Sequence, residues 1–172
     1  MQRFSSLSVS LRRPARMRAM TRLPRQGRLS FSRWRVDFMA SSIKLSVLIP
    51  ATPREVFAAL TDPRRIAAWS GQKGKVTAKV GGTIELFDGW VHGTVLEFKP
   101  GKRLAHTWLP GDWPADARES VVRYTLTPSG RGTKVVLEHS NFPNNETEKK
   151  NHKTGWKEFV LDPLKAHFIA KQ

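Results

Sequence analysis

The 172-residue chain contains no cysteine, and none of its apolar runs approaches the length of a membrane span. Without cysteine, neither a disulfide framework nor a thiolate metal site can form. A transmembrane helix needs roughly 18 or more consecutive apolar residues. We therefore expect a fold that depends on its hydrophobic core alone, and no membrane partner.

Acidic residues are also few, at 14 against 30 Lys and Arg, which gives a formal charge of +16. The excess is uneven, because residues 1–38 hold ten arginines and a single acid and account for +9 of it. An Arg- and Ser-rich, acid-poor start is typical of an organelle transit peptide. The alternatives are a disordered arm or translation from Met39. We predict an extension over 1–40 and one domain over 41–172, cytoplasmic, or mitochondrial if the extension is translated and imported.

Hydrophobic periodicity predicts an α+β fold with the long helix at the end. Alternation from Ile43 to Ile49 indicates the first strand, and Thr52-Pro53-Arg54-Glu55 and Asp62-Pro63 are typical starts of two short helices. About six antiparallel strands follow, over residues 76–80, 84–86, 90–98, 103–109, 121–127 and 134–139. From Glu146 to about Ala170 a 3.6-residue period predicts an amphipathic helix, kinked or restarted with Asp162 as the cap before Pro163.

No motif for catalysis or metal binding is present. The sequence has no cysteine nucleophile and no G-x-S-x-G, and its five histidines lack H-x-x-x-H and H-x-H spacing. We therefore expect no enzyme activity, no metal and no cofactor. Strand parity turns His106 and His139 to faces that could be concave. Such a pair could orient a ligand or transfer a proton, but two hydrogen-bonded structural histidines are the favoured interpretation.

Aromatic side chains supply two sets of candidates. Eight residues could line a cavity between sheet and helix, or could be the core itself: Trp69, Phe98, His106, Trp108, Tyr124, His139, Trp156 and Phe159. Periodicity favours the core for Trp156, Phe159 and Trp108. Trp90, Trp113 and Phe142 lie at turns or loops, where a large ring is harder to bury. We predict that these three contact a partner.

Lysines form a second candidate surface on the C-terminal helix, at Lys149, Lys150, Lys153 and Lys157. They could steer an acidic partner toward the domain, or simply be a solvated face. Lys73, Lys75 and Lys79 form a smaller basic stretch and allow the same two interpretations. Nucleic acid is not expected as a partner, because the chain lacks a groove-reading helix or a stacking platform.

The order of elements resembles the START-like helix-grip superfamily, and more closely the domain named after the activator of the heat-shock protein 90 ATPase. The resemblance runs from Ile43 to Phe168. The residues that carry it are Thr52-Pro53-Arg54-Glu55-Val56-Phe57, Thr61-Asp62-Pro63, Gly81-Gly82, Asp88-Gly89 with Gly93, Pro100-Gly101-Lys102, Thr107-Trp108, Trp113-Pro114, Gly155-Trp156 and Phe168.

This resemblance implies a curved antiparallel sheet wrapped around the C-terminal helix, and a domain that binds heat-shock protein 90 and stimulates its ATPase. We expect a monomer. The basic extension is too short to hold the separate N-terminal domain of the eukaryotic co-chaperone, so binding is implied rather than full activation. Other single-domain relatives suggest the alternative, a carrier that holds a small apolar ligand in the cavity between sheet and helix.

Overall fold

The structure, a computed structural model, describes residues 42–114, 116–142 and 146–171. The extension predicted for residues 1–40 lies outside these ranges. The first half of the fold comprises β1 (Ile43–Ile49), α1 (Pro53–Thr61), α2 (Pro63–Ser70), β2 (Lys75–Val76), β3 (Thr83–Leu86) and β4 (Val91–Lys99). The second half comprises β5 (Arg103–Pro110), β6 (Ser120–Ser129), β7 (Gly132–Ser140), α3 (Glu146–Gly155), a π-helical segment (Trp156–Leu161) and α4 (Asp162–Ile169).

The strands form a seven-stranded sheet in the order β1-β7-β6-β5-β4-β3-β2, and every neighbouring pair is antiparallel. The first strand therefore pairs with the last, which ties both ends of the domain into one curved sheet. The C-terminal helix packs on that sheet, and Trp156 at its centre is buried against the strands. The predicted α+β helix-grip fold is confirmed.

Both short helices begin where their caps predict. The Thr52 hydroxyl accepts from the Glu55 amide at 3.4 Å, and the Glu55 carboxylate accepts from the Thr52 amide at 2.8 Å, which completes a capping box. Asp62 accepts from two amides at the start of α2. Helix α2 in turn holds Trp69, whose indole nitrogen donates to the Ala59 carbonyl at 2.8 Å.

The prediction of a strand over residues 76–80 is wrong beyond Val76, where the observed strand ends. The amide of Lys79 bonds back to the Thr77 carbonyl, and the amide of Gly82 bonds to the carbonyl of Lys79, so the chain turns instead of continuing a ladder. Val80, expected to face inward by alternation, is 66% exposed. Apolar and polar residues do alternate along this stretch, but its backbone hydrogen bonds are made within a turn.

The C-terminal helix contains a wide turn that the periodicity did not predict. In the π-helical segment, the Asp162 amide bonds to the Lys157 carbonyl five residues earlier. This spacing turns Trp156, Val160 and Leu161 inward, and it leaves Phe159 53% exposed. The prediction that Phe159 is buried is therefore wrong.

The predicted restart at Asp162 is also wrong. Asp162 is itself helical, and its side chain makes no capping bond. The helix passes through Pro163, whose ring would clash with the carbonyl four residues earlier in a regular α-helix. The wider π-turn immediately before it relieves that conflict.

Candidate functional site

Trp108 on β5 is the centre of a buried aromatic cluster. It is 2% exposed, and its nearest neighbour is Trp156 of the C-terminal helix, with ring centroids 4.5 Å apart. Most of its ring contacts are edge-on or tilted, as aromatic quadrupoles favour. Further rings lie 5.7–6.3 Å from it, namely those of Phe87, Trp90, His106, His139 and His152. The cluster joins strands, turn and helix into one unit.

A chain of hydrogen bonds runs through this cluster. The Trp156 indole nitrogen donates to His139 Nδ1 at 2.9 Å, and His139 Nε2 lies 2.7 Å from the Ser120 hydroxyl, which donates to the Trp108 carbonyl. An indole N–H can only donate, so Nδ1 is the acceptor and Nε2 carries the proton. The chain connects the C-terminal helix to β7, β6 and β5.

The proton arrangement argues against catalysis by the Ser120–His139 pair. A catalytic histidine must present an unprotonated nitrogen to the serine, oriented by an acceptor such as a carboxylate on its other side. Here the nitrogen facing Ser120 is protonated, and the group on the other side is a donor, Trp156. Burial, and then the neighbouring His152 and His106, lower the pKa of His139 to about 2. The pair is a structural tie, which agrees with the favoured interpretation of His139.

His106 differs from His139 because only one of its two ring nitrogens makes a hydrogen bond within the described ranges. Its Nδ1 lies 2.8 Å from the Thr107 carbonyl and donates to it. Burial lowers the pKa of His106 to about 4, so the ring is neutral near neutral pH and Nε2 is an acceptor. This buried Nε2 has no hydrogen-bond partner within the described ranges. Leaving an acceptor in that state costs about 1–3 kcal/mol.

His106 lines a small cavity of about 20 Å³ between the two short helices, the sheet and the π-helical segment. Its other lining residues are Leu60, Ile66, Trp69, Ile84, Leu86, Phe87, Leu104, Tyr124 and Val160. The space is of the order needed for one water molecule. Of the eight residues predicted to line a cavity, Trp69, His106 and Tyr124 do so. Trp108, His139 and Trp156 fill the adjoining space instead.

One wall of the cavity is Phe87, which lies in a left-handed turn. Phe87, Asp88 and Gly89 have φ angles of +57°, +58° and +85°. This conformation costs about 1–2 kcal/mol for each residue that has a Cβ atom. Two hydrogen bonds between Asp88 and Lys73, one from each backbone amide at 2.9–3.0 Å, hold the turn in place. A strained turn thus positions a half-buried aromatic wall.

Two of the predicted partner-binding aromatics lie at neighbouring loops on the surface. Trp90 is 37% exposed, and its carbonyl accepts from the Gly111 amide at 2.7 Å, so the loop that carries Trp113 runs beside it. Trp113 is half-buried, with its ring 5.7 Å from that of His152 on α3. Phe142 is only 7% exposed. Its prediction as a surface residue is wrong, because it lies beneath Trp113 and against His139.

The predicted lysines lie on the C-terminal helix, which the Trp113 ring contacts at His152. Lys150, Lys153 and Lys157 are exposed, and no ion pair involves them within the part of the chain that the structure describes. Lys149 is less exposed and lies 3.6 Å from Glu146. We call Trp90, Trp113, Lys150, Lys153 and Lys157 the Trp–Lys surface. The two parts meet at His152, which contacts the Trp113 ring and precedes Lys153 in the sequence.

Residues 50–168 match the family described as "Activator of Hsp90 ATPase homolog 1-like protein". The chain belongs to this family. The match covers nearly all of the domain and confirms the resemblance inferred from the motifs. The family's fold accounts for the strand order and for the docked C-terminal helix.

Solved structures of similar fold support the family assignment. The structure superposes on protein MLL2253 of Mesorhizobium loti with a TM-score of 0.67 and 29% identity, over 76% of this chain and 98% of that one. It superposes on PFC0360w, an HSP90 activator from Plasmodium falciparum, with a TM-score of 0.66 and 25% identity, over 74% and 95%. A Schizosaccharomyces pombe protein is 34% identical over 64 residues, which is 37% of this chain and 19% of that protein.

The remaining predicted site residues lie away from the cavity of this family member. Phe98 packs edge-on against Phe57, with ring centroids 5.0 Å apart. A register shift between Val95 and Glu97 reverses the strand parity before Phe98 and turns it toward the core. Phe159 is exposed for the reason given above.

Sequence reasoning missed two residues of the site, Phe87 and His152. The Asp88-Gly89 pair was a turn signal, but a phenylalanine in a left-handed conformation has no signature in sequence. His152 lies four residues after Glu148, and its Nδ1 contacts the Glu148 carbonyl at 3.0 Å. That helical spacing could have placed it on the inner side of α3.

No group of three or more His, Asp or Glu side chains within residues 42–114, 116–142 and 146–171 could hold a metal ion. In the same ranges, no helix is both long and apolar enough to cross a membrane.

Proposed function

We propose that this protein binds heat-shock protein 90 as a co-chaperone-like domain and biases the chaperone toward its ATPase-competent state, without enzyme chemistry of its own. Membership of the activator family over residues 50–168 supports this proposal, as does the likeness to the Plasmodium falciparum activator. The observation that carries it is the Trp–Lys surface, in which the partly exposed Trp90 and Trp113 accompany the exposed lysines of the C-terminal helix that Trp113 contacts.

The chemistry of this surface suits a large, acidic partner. The few residues that dominate the binding energy of a protein interface are enriched in tryptophan, which contributes when the partner desolvates it. Lysines at the edge of an interface mainly raise the association rate with an acidic partner, and their effect falls with salt. Together they predict salt-sensitive association whose residual affinity depends on Trp90 and Trp113.

Stimulation requires more than binding. A domain shifts a conformational equilibrium only by the difference between its affinities for the two states. The proposal therefore requires that the Trp–Lys surface binds the ATPase-competent state of heat-shock protein 90 more tightly than the resting state.

The test is a titration of heat-shock protein 90 with the full chain at low and moderate salt, followed by calorimetry and by ATP turnover. We expect binding that weakens with salt and a rise in turnover that saturates with the binding curve. Trp90→Ala should weaken both. Binding without any change in turnover would contradict the activation, and absence of binding at low salt would contradict the whole proposal.

The cavity beside His106 supports a second candidate function, binding of a small apolar ligand. Its specific support is the unpartnered, fully buried Nε2 of His106 in an otherwise largely apolar wall. Native mass spectrometry of the purified protein, with thermal shifts across a panel of lipids and aromatic compounds, would test it. No retained mass and no shift across the panel would contradict it.

A further inference from the structure

One end of the sheet carries four exposed cations. Lys102 lies in the β4–β5 turn, Arg131 in the β6–β7 turn, Arg54 at the start of α1 and Lys134 near the start of β7. All four residues are exposed, and none of them makes an ion pair within the part of the chain that the structure describes. We call these four cations, together with Leu48, the basic rim.

Hydrogen bonds and close contacts hold these connections together. The Thr133 hydroxyl donates to the Ala51 carbonyl at 2.7 Å, which ties the start of β7 to the link between β1 and α1. An amide of β6 donates to the Lys102 carbonyl at 2.8 Å. Gly101 in the same turn faces α1, because a Cβ atom there would lie 3.3 Å from Arg54 Cγ. The four cations therefore lie on connections that touch one another.

Two acidic side chains adjoin the rim along the chain, and both have partners of their own. The Glu55 carboxylate accepts from the amide and the hydroxyl of Thr52 in the capping box of α1. Glu97 lies 2.8 Å from Lys99 and 3.3 Å from Arg103. These carboxylates are thus engaged away from the four cations of the rim.

An exposed aliphatic side chain lies among the cations. Leu48 on β1 is 53% exposed, and its partner across the strands is Lys134. It is one residue from the end of β1, beside the β6–β7 turn that carries Arg131. Cations next to an exposed apolar side chain are typical of a membrane-surface contact, since the cations attract anionic headgroups and the apolar group enters the boundary with the acyl chains.

We propose that the basic rim docks on an anionic lipid bilayer, with its four cations at the phosphate-bearing headgroups and Leu48 in the boundary beneath them. The sequence-based expectation of no membrane partner rested on the lack of a spanning segment, which docking on the surface does not need. This inference goes beyond both functions proposed above.

Leu48 favours a bilayer over other polyanions. Single-stranded nucleic acid is held by aromatic side chains that stack on bases, and a duplex by an element that enters a groove. The rim consists of turns and an aliphatic side chain. An acidic protein would need a depression that fits Leu48, whereas a fluid bilayer accepts the side chain without one.

The rim is separate from the Trp–Lys surface. Trp90 precedes β4 and the β4–β5 turn follows it, so the nine residues of this strand lie between them. Nine residues of strand span about 30 Å. The two surfaces can therefore be changed independently.

The experiment measures binding of the full chain to vesicles by cosedimentation, at low and at physiological salt. One set of vesicles is phosphatidylcholine alone, and the other is equal parts phosphatidylcholine and phosphatidylserine. The rim variant combines Lys102→Glu, Arg131→Glu and Lys134→Glu. Circular dichroism shows whether each variant is folded.

The matched control changes the net charge equally at another place. It combines Arg64→Glu, Arg65→Glu and Lys171→Glu, three exposed cations on α2 and just after α4. Residues 1–38, with their ten arginines, are the same in both variants, so vesicle binding through them is common to both.

We expect the natural chain to bind only the vesicles that contain phosphatidylserine, and to bind them more weakly as salt rises. The rim variant should bind at least about a hundredfold more weakly, because each cation near an anionic surface contributes about fivefold. The control variant should bind nearly as well as the natural chain. Equal affinities of the two variants would overturn the inference, and so would absence of binding by the natural chain at low salt.

Leu48→Ser separates a bilayer from other polyanions. This exposed change should weaken vesicle binding by about threefold or more, because the variant buries less apolar surface. It should leave any binding to a DNA duplex unchanged. Unchanged affinity for vesicles in this variant would overturn the inference. Failure to bind heat-shock protein 90, together with vesicle binding that depends on the rim, would contradict the co-chaperone function and leave this inference standing.

Discussion

The indole nitrogen of Trp156 donates a hydrogen bond to Nδ1 of His139 across 2.9 Å, where both side chains are buried. This contact joins the C-terminal helix to the sheet, fixes the tautomer of His139 and thereby sets the direction of the bonds to Ser120 and Trp108. The stability of the helix–sheet contact should therefore depend on the hydrogen bond that the Trp156 side chain donates as well as on the volume that this side chain fills.

Substitutions at Trp156 should separate these two contributions. Trp156→Ala should lower the free energy of unfolding by about 3–5 kcal/mol, because a buried aromatic ring is removed. Trp156→Phe keeps most of the ring but leaves His139 Nδ1 unpaired, which should cost about 1–3 kcal/mol. Chemical denaturation measures both. Phe159→Ala on the exposed side is the control, and a Trp156→Ala effect below about 1 kcal/mol would contradict the docking of the helix.

Stability should fall as the pH is lowered below about 6.5. Burial lowers the pKa of His106 to about 4 and that of His139 to about 2, whereas the same groups in the unfolded chain titrate near 6.5. Between these values the unfolded state binds more protons, so acid favours unfolding, by up to about 1.4 kcal/mol per pH unit for each histidine. Denaturation at pH 7, 6 and 5 measures the slope.

His106→Phe is the matched control for this pH dependence. It should remove the His106 part of the slope and leave the His139 part. An unchanged slope in this variant would mean that His106 does not remain neutral in the folded protein.

Charge reversal on the C-terminal helix should weaken both partner binding and the dependence of binding on salt. The triple change Lys150→Glu, Lys153→Glu and Lys157→Glu should slow association with heat-shock protein 90 by about tenfold or more at low salt, because the steering cations become anions. The same change at the exposed Lys102, Arg131 and Lys134 alters the net charge equally and serves as the control. Equal slowing in both variants would show that net charge, not this surface, governs association.

Two glycine substitutions should change the free energy of unfolding in opposite directions. A Cβ atom at Gly93 would lie 2.1 Å from the Thr107 carbonyl oxygen of the neighbouring strand, so Gly93→Ala should destabilise by about 1–3 kcal/mol or more. At Gly155 a Cβ atom would meet only Phe159, at 3.9 Å. Because glycine is a poor helix former, Gly155→Ala should stabilise by about 0.5–1 kcal/mol. Thermal unfolding of both variants measures the two changes in stability.

The features that sequence predicted well are determined locally. Thr52 and Asp62 cap their helices through groups within three residues, and Asp88-Gly89 turns the chain between adjacent strands. Alternation located the central strands, because one face of each is buried. These signals need no knowledge of the rest of the fold.

Several of the failures depend on distant parts of the chain. Gly81 and Gly82 exchange hydrogen bonds with Val95, which ends the strand that alternation would have continued to Val80. The orientation of Phe98 depends on a bulge in β4. Phe142 is buried because Trp113, nearly thirty residues earlier, covers it. The size of the cavity depends on how tightly all its walls pack, which no local pattern records.

The π-helical segment has a consequence for length variation in this family. Its i−5 hydrogen bond means that the helix between Trp156 and Asp162 contains one residue more than a regular α-helix would need to present the same inward faces. Loss of one residue there would restore regular α-helical winding and keep both Trp156 and Leu164 against the sheet, but only if Pro163 is also replaced, because regular winding brings its ring against the carbonyl four residues earlier. Loss of one residue elsewhere in the helix would rotate everything beyond it by about 100° and expose the buried face. The C-terminal helix can therefore be shortened by one residue at this turn when the proline is absent, and alignment gaps should collect there in relatives that lack a proline at the position of Pro163.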